Sequence, residues 1–190
     1  MARAKATTIE EVRSKAATLF ERRGFSNTSL DDIAEAVGVS KPTLYNYVGS
    51  KRELLEQIVS EVMLSLDDGL MTILDGPDSA EEKLRSSLLL QARSAVDQRI
   101  YYQLLFSEQT ELSPAMRTRS YDWARSINHR YAKLIEECRV DGVLASDVDP
   151  DVAANLILGM MTSVSRWYRA RDRLSPEQIG DQAFRILVSS

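Results

Sequence analysis

Apolar residues along this chain recur at helical spacing almost from end to end. Ile9, Val12, Ala16, Leu19 and Phe20 make one face of a first helix that starts at Thr8 and ends at Gly24. Thr8 and Glu11 have capping-box spacing, and Gly24 suits a helix end. A short second helix, expected to be capped by Thr28, carries Leu30, Ile33, Ala34 and Val37 and breaks at Gly38. Ser40 is placed to cap a third, with Pro42 in its first turn, where a missing N–H costs nothing. Ser50 and Glu53 form a second capping-box pattern. They open a long fourth helix carrying Leu54, Leu55, Ile58, Val59, Val62, Met63 and Leu66.

Asp75-Gly76-Pro77-Asp78 is the clearest break in the chain. Beyond it the pattern predicts a fifth helix over 79–96, a sixth over 98–108 and a seventh from Ser113-Pro114 to near Gly142. An eighth is expected from Asp149-Pro150 to about Arg171, and a ninth from Ser175-Pro176 almost to the C-terminus. No sustained period-two alternation occurs, so no sheet is expected. The predicted fold is all-α with about nine helices: an N-terminal three-helix unit over 1–52 and a helical body over 53–190.

Leu30 to Val48 carries the demands of a helix-turn-helix. Two short helices that cross closely need a small residue at the crossing, and Ala34 supplies it. The turn needs a residue that tolerates positive φ, and Gly38 follows four positions later. Val39 and Leu44 are the apolar locks between the two helices. Lys41, Thr43, Tyr45, Asn46 and Tyr47 then surround a single apolar Leu44. Side chains at the start of such a helix reach base edges in the major groove, and neighbouring ones reach phosphates. Thr28 and Lys51 flank the motif at helix N-termini, where N–H groups and the dipole favour phosphate, and Ser40, at the cap of the third helix, completes the candidate DNA contacts.

Charge supports a DNA-facing head. The net charge is −4, which argues against a generic polyanion binder. Residues 1–52 hold nine Lys/Arg against six Asp/Glu, while 53–190 hold fifteen against twenty-two. A basic head on an acidic body suits a protein that touches phosphates at one end. The lone Cys138 excludes an intramolecular disulfide and reads as a small buried hydrophobe, and the lone His129 as a surface or satisfied helix residue. No cluster of usual zinc ligands can be assembled from one His and one Cys. No signal peptide or membrane span is evident, so a cytoplasmic location is expected.

Residues 25–34, then Gly38-Val39-Ser40-Lys41, Thr43-Leu44-Tyr45 and Ser50-Lys51-Arg52-Glu53-Leu54, resemble the TetR family of bacterial regulators. The resemblance covers the first four helices closely and the nine-helix plan throughout. It implies that Thr28, Tyr45, Tyr47 and Lys51 hold phosphates, and that Lys41, Thr43 and Asn46 lie nearest the bases. Three positions depart from the common pattern: Pro42 replaces a small residue, Tyr47 a His and Val48 a Phe. The partners implied are an operator duplex, a second copy of the chain and a small-molecule effector, with no cofactor.

The body concentrates adaptable bulk at Tyr101, Tyr102, Phe106, Met116, Trp123, Met160, Met161, Trp167 and Tyr168. Two readings stand for these residues, ordinary core and pocket lining. Tyr102, Phe106, Trp123, Met160, Arg166 and Trp167 are the candidate effector contacts. Arg166, Arg169, Arg171 and Arg173 fall within eight residues and read either as intersubunit ion pairs or as an anion site. Residues 163–177 resemble the C-terminal segment of actinobacterial TetR repressors of sterol and fatty-acid catabolism that respond to acyl-CoA thioesters. That resemblance places Arg166 near CoA phosphates and Trp167 beside the adenine or acyl part. Ala170-Arg171-Asp172 stands where those proteins often have Pro-Gly-Gly. Small residues on the eighth helix (Ala153, Ala154, Gly159, Ser163) permit close approach of another helix. With Phe184 and Leu187 on the ninth, they are the expected dimer contact.

Two other functions fit the sequence less well. An enzyme with an appended DNA-binding head lacks a nucleophile with an evident His partner and a Gly-rich phosphate loop. An architectural DNA protein gains little from so large an acidic body. The expected function is a ligand-responsive regulator, a repressor released from its operator by a hydrophobic or acyl-CoA-type effector.

Overall fold

The computed structural model describes residues 7–169 and 174–188, and among them every regular element is helical. The elements are α1 (Ile9–Arg23), α2 (Leu30–Val37), α3 (Lys41–Tyr45), α4 (Lys51–Leu74) and α5 (Ala80–Asp97). After them come α6 (Arg99–Ser107), a 3-10 turn (Gln109–Glu111), α7 (Pro114–Val140), α8 (Pro150–Trp167) and α9 (Pro176–Val188).

Most helix starts are chemically signed. The Thr8 hydroxyl accepts from the Glu11 N–H, Ser40 from Thr43, Ser79 from Glu82, Ser113 from Met116 and Asp149 from Val152. The cap of α2 is Ser29, not Thr28 as expected. Ser29 accepts from the Asp32 N–H while the Asp32 carboxylate accepts from the Ser29 N–H, a reciprocal box that Thr28 cannot form. Ser29→Ala should therefore lower stability by about 1 kcal/mol, read as a drop of roughly 2–4 °C in Tm. At α4 the Ser50 hydroxyl caps as expected, but the Glu53 carboxylate accepts from the Gly49 N–H at 2.9 Å.

Two apolar cores result. In the first, Val12, Ala16 and Phe20 of α1 meet Ile33, Leu44 and the first half of α4. Tyr102, Leu104 and Leu105 of α6 join this same core, together with Leu112 and Met116. Packing therefore crosses residue 52: the head rests on α4 and α6 as a single apolar mass. Arg13 pairs with Glu61 at 3.1 Å and Arg99 with Glu21 at 3.0 Å, tying α1 to α4 and to α6.

The second core fills the body. α5 packs against α4, α7, α8 and α9, contributing Leu84, Leu88, Ala92 and Ala95. Met161 and Tyr168 are buried here as plain core. Phe184, expected at a dimer contact, is 2% exposed and belongs to this core, with the Arg85 guanidinium 4.1 Å from its ring centroid. The amphipathic face of α9 thus spends its largest side chain inside the protomer. Cys138 is fully buried, and burial pushes its thiol up to about 12, so it packs rather than reacts.

The eighth helix is shorter than expected. It ends at Trp167, and Tyr168 turns to extended backbone with φ −62° and ψ 139° while its ring enters the core. Arg171 and Arg173 lie outside the described residues.

Candidate DNA-reading head and effector cavity

Gly38 takes the left-handed conformation, φ 81° and ψ 30°, and its N–H closes α2 onto the Ala34 carbonyl. Val39 donates to the same carbonyl at 3.0 Å. The chain therefore reverses over two residues, as Ala34 and Gly38 predict. Leu44 is the only buried residue of α3 and is fully enclosed. With that anchor inward, Lys41, Tyr45 and Asn46 are exposed and Thr43 is half-buried. α3 closes at Tyr45, so Asn46 and Tyr47 sit in the turn that follows.

Several of the predicted phosphate ligands are engaged within the protein. Thr28 is 1% exposed, and its hydroxyl donates to the Gly24 carbonyl at 2.9 Å. Its side chain braces the α1–α2 turn, which is a correction to its expected place on the DNA face. The Lys51 ammonium donates to the Phe25 carbonyl at 2.6 Å and lies 4.3 Å from the Phe25 ring centroid. An ammonium has three donors, so this leaves capacity for a phosphate. Tyr47 donates its hydroxyl to the Thr7 carbonyl at 2.6 Å and so holds the residue that precedes the Thr8 cap. The Ser40 and Thr43 hydroxyls lie 2.8 Å apart. Lys41 pairs with Asp31 at 2.8 Å, and this hydrogen-bonded carboxylate raises the lysine pKa.

The body contains a cavity of 550 Å³ between α4, α5, α6, α7 and α8. Tyr102, Phe106, Trp123 and Arg166 line it, as expected for effector contacts. Met160 and Trp167 do not. Met160 packs half-buried against the body core, while Trp167 is 53% exposed and donates its indole N–H to the Ser163 hydroxyl at 3.2 Å. Both residues lie on the side of α8 turned away from the cavity. The structure adds Gln91, Arg125, Asn128, Asn155 and Thr162 to the lining. Two signals mark them in the sequence: Gln91 interrupts the apolar run 88–92, and Asn155, Gly159, Thr162 and Arg166 repeat at helical spacing along one face of α8.

The inner wall is polar in a specific way. Gln91 is 2% exposed and donates to the Tyr131 hydroxyl at 3.2 Å. Burial pushes the Tyr131 phenol up to about 12 and the Tyr102 phenol further still, so both stay protonated. The Tyr102 oxygen and the Trp123 indole nitrogen are buried without a hydrogen-bond partner among the described residues. At the cavity edge, Arg166 is exposed and forms no ion pair with a described residue. α6 is the shared wall: Tyr102 and Leu105 line the cavity and also belong to the head's core.

On the outer side of α8, Val152 and Leu156 are exposed; Gly159, on the face that lines the cavity, is exposed as well. A Cβ at Gly159 would meet nothing within 4 Å, so no neighbour within the protomer requires a glycine there. Ala153, Ser163 and Leu187 are half-buried, and Ala153 and Leu187 pack on the body core. No helix among the described residues is long and apolar enough to cross a membrane.

Comparison with known proteins agrees with this division of labour. Residues 12–58 match the family described as "Bacterial regulatory proteins, tetR family". Residues 77–190 match "Tetracyclin repressor-like, C-terminal domain". The transcriptional repressor KstR2 of Mycolicibacterium smegmatis is 27% identical over 183 residues, spanning 94% of this chain and 88% of that protein. A TetR/AcrR-family regulator from Thermobifida fusca has 30% identity and a TM-score of 0.74, over 96% of this chain and 97% of that one. AibR, solved with isovaleryl coenzyme A and operator DNA, shares the fold with a TM-score of 0.81 at 23% identity, over 95% and 97% of the two chains. Its recognition head, its helical body and these matches together place the chain in the TetR family of helix-turn-helix transcriptional regulators.

Proposed function

We propose that this regulator is a homodimeric repressor released from its operator when a small hydrophobic or acyl-CoA-type effector fills the body cavity. The observation that carries the reading is α6, which lines the cavity with Tyr102, Leu105 and Phe106 and packs into the head with Tyr102, Leu104 and Leu105. A ligand that displaces this wall moves the surface on which α1 and α4 rest. The Arg99–Glu21 pair adds a polar tie along the same route.

Lys41, Thr43 and Asn46 are the base-reading candidates, with Ser40, Tyr45, Tyr47 and Lys51 as the phosphate-side set. A single head has little positive charge, so affinity comes from two heads at a set spacing. Twofold symmetry puts the half-sites about one helical turn, roughly 34–36 Å, or more apart. The exposed apolar residues Val152, Leu156 and Ile186, with Gly159 allowing close approach, favour a dimer through α8 and α9.

Arg166 at the cavity edge suits the phosphates of a CoA thioester, because a guanidinium fork matches phosphate oxygens. A thermal-shift screen with CoA thioesters and free hydrophobic acids tests the reading, since a ligand of the native state raises Tm by mass action. Hits should weaken binding to a duplex that the protein selects from a random-sequence pool. A panel that shifts neither melting nor DNA binding overturns it. Arg166→Ala should weaken a thioester hit about 10- to 100-fold in calorimetric titration, the size of a lost charge-assisted hydrogen bond.

A further inference from the structure

Resting on the base-reading set above, we infer that Asp31 is a positioning residue for sequence selection. Its carboxylate aims Lys41 at a base edge and so sets how well the head separates its operator from other DNA. Asp31 lies in the first turn of α2, and Lys41 opens α3 ten positions later. The lysine ammonium is 2.8 Å from one Asp31 oxygen and 3.0 Å from the other. Neither side chain is needed for packing, since both are more than half exposed and Leu44 anchors α3. Nor does Asp31 serve the helix cap, because the reciprocal box at the start of α2 uses Asp32. The Asp31 carboxylate is therefore left to Lys41.

The consequence follows from lysine chemistry. An ammonium on a flexible four-carbon stem is a point charge that settles on any phosphate within reach. Such a contact adds affinity on every sequence and distinguishes none. An ammonium held by a carboxylate still has a donor to give, but in a fixed direction, as contact with a guanine O6 or N7 requires. The carboxylate also cancels the charge that Lys41 would bring to the backbone. Asp32 stands in the same relation to Arg23, at 3.2 Å, so two adjacent carboxylates answer two cations of the head. The arrangement trades general attraction for DNA against a directed contact.

The test is the ratio of affinities for two duplexes, one selected by the wild-type protein from a random pool and one of scrambled sequence. Fluorescence anisotropy measures it for the wild type, Asp31→Asn, Lys41→Ala and the double variant over a range of salt. Asp31→Asn should bind the scrambled duplex more tightly, with a salt slope steeper by about one phosphate contact. Its selected-to-scrambled ratio should fall about three- to fivefold, the scale of an exposed ion pair. On a Lys41→Ala background the same change should leave the ratio where it was. Partial loss of the folded head weakens both duplexes alike and leaves the ratio unmoved, so the ratio separates positioning from stability. If Lys41→Ala keeps the wild-type ratio, the base-reading assignment of Lys41 fails and this inference with it. If Lys41→Ala lowers the ratio while Asp31→Asn keeps it, or shifts both duplexes equally, the role of Asp31 is overturned and the base-reading set stands.

Discussion

Leu44→Ala should abolish operator binding while the body stays folded. Leu44 is the only buried residue of α3 and is fully enclosed among α1, α2 and α4. Truncating a buried leucine to alanine costs about 2–5 kcal/mol. A five-residue helix cannot hold itself in water, because nucleation is unfavourable and propagation too short to offset it. Its position therefore depends on that one anchor together with the Ser40 cap and the Gly38 turn. The body's core, built around α5, is a separate cluster that excludes Leu44. Fluorescence anisotropy on a duplex selected by the wild-type protein should show affinity falling by at least about 100-fold, given that loss. Far-UV circular dichroism should retain most helical signal. Retained operator affinity would show that α3 is positioned by something other than Leu44.

Gly180→Val should destabilise the body through a backbone clash. A Cβ at Gly180 would stand 2.9 Å from the Leu89 Cα and 3.1 Å from the Leu89 N. Those are backbone atoms of α5, which cannot move without shifting the central helix and its contacts to α4, α7 and α8. Overpacking of this kind costs about 1–3 kcal/mol, and a β-branched side chain lies at the upper end. The expected drop in Tm is roughly 5–10 °C for a protein of this size. Gly69→Ala is the control. Its Cβ would meet only the Leu90 methyl tips, at 3.0 Å, and a leucine end can rotate away. Ala also gains about 1 kcal/mol over Gly in a helix interior, so the control should melt level with the wild type or above it. A Gly180 variant that melts like the control would mean that α9 can lift from α5 at little cost.

The head was legible because its determinants are local. Gly38 must take positive φ, Ala34 must be small and Ser40 must cap, and each requirement is met within a few residues of the place it acts. Where two adjacent residues could cap, local reading chose wrongly. Thr28 and Ser29 offer the same hydroxyl, and only the reciprocal bond from Asp32 distinguishes them. That choice sent Thr28 inward, to the Gly24 carbonyl.

The body was legible as helices and less so as surfaces. The apolar stripe of α9 shows that one face is covered but not by what, and the cover for Phe184 proved to be its own protomer's Arg85 and core. Of the six expected effector contacts, Tyr102, Phe106, Trp123 and Arg166 reach the cavity, while Met160 and Trp167 lie on other faces of α8. Side-chain type predicted what a cavity wall contains. Only the rotation of each helix about its axis determined which members face it.

The sequence by itself determined the helical class, the breaks at Gly24, Gly38 and Asp75–Asp78, and the recognition helix with Leu44 inward. Each of these depends on short-range sterics, capping hydrogen bonds and a period of 3.6 residues. Only the tertiary structure decided that α6 belongs to both cores, that Gln91 is beside Tyr131, and that Tyr102 and Trp123 are left with unmet donors at the cavity. These are contacts between residues from about 20 to 90 positions apart, such as α1 with α6, and they follow from how packed helices close around one another.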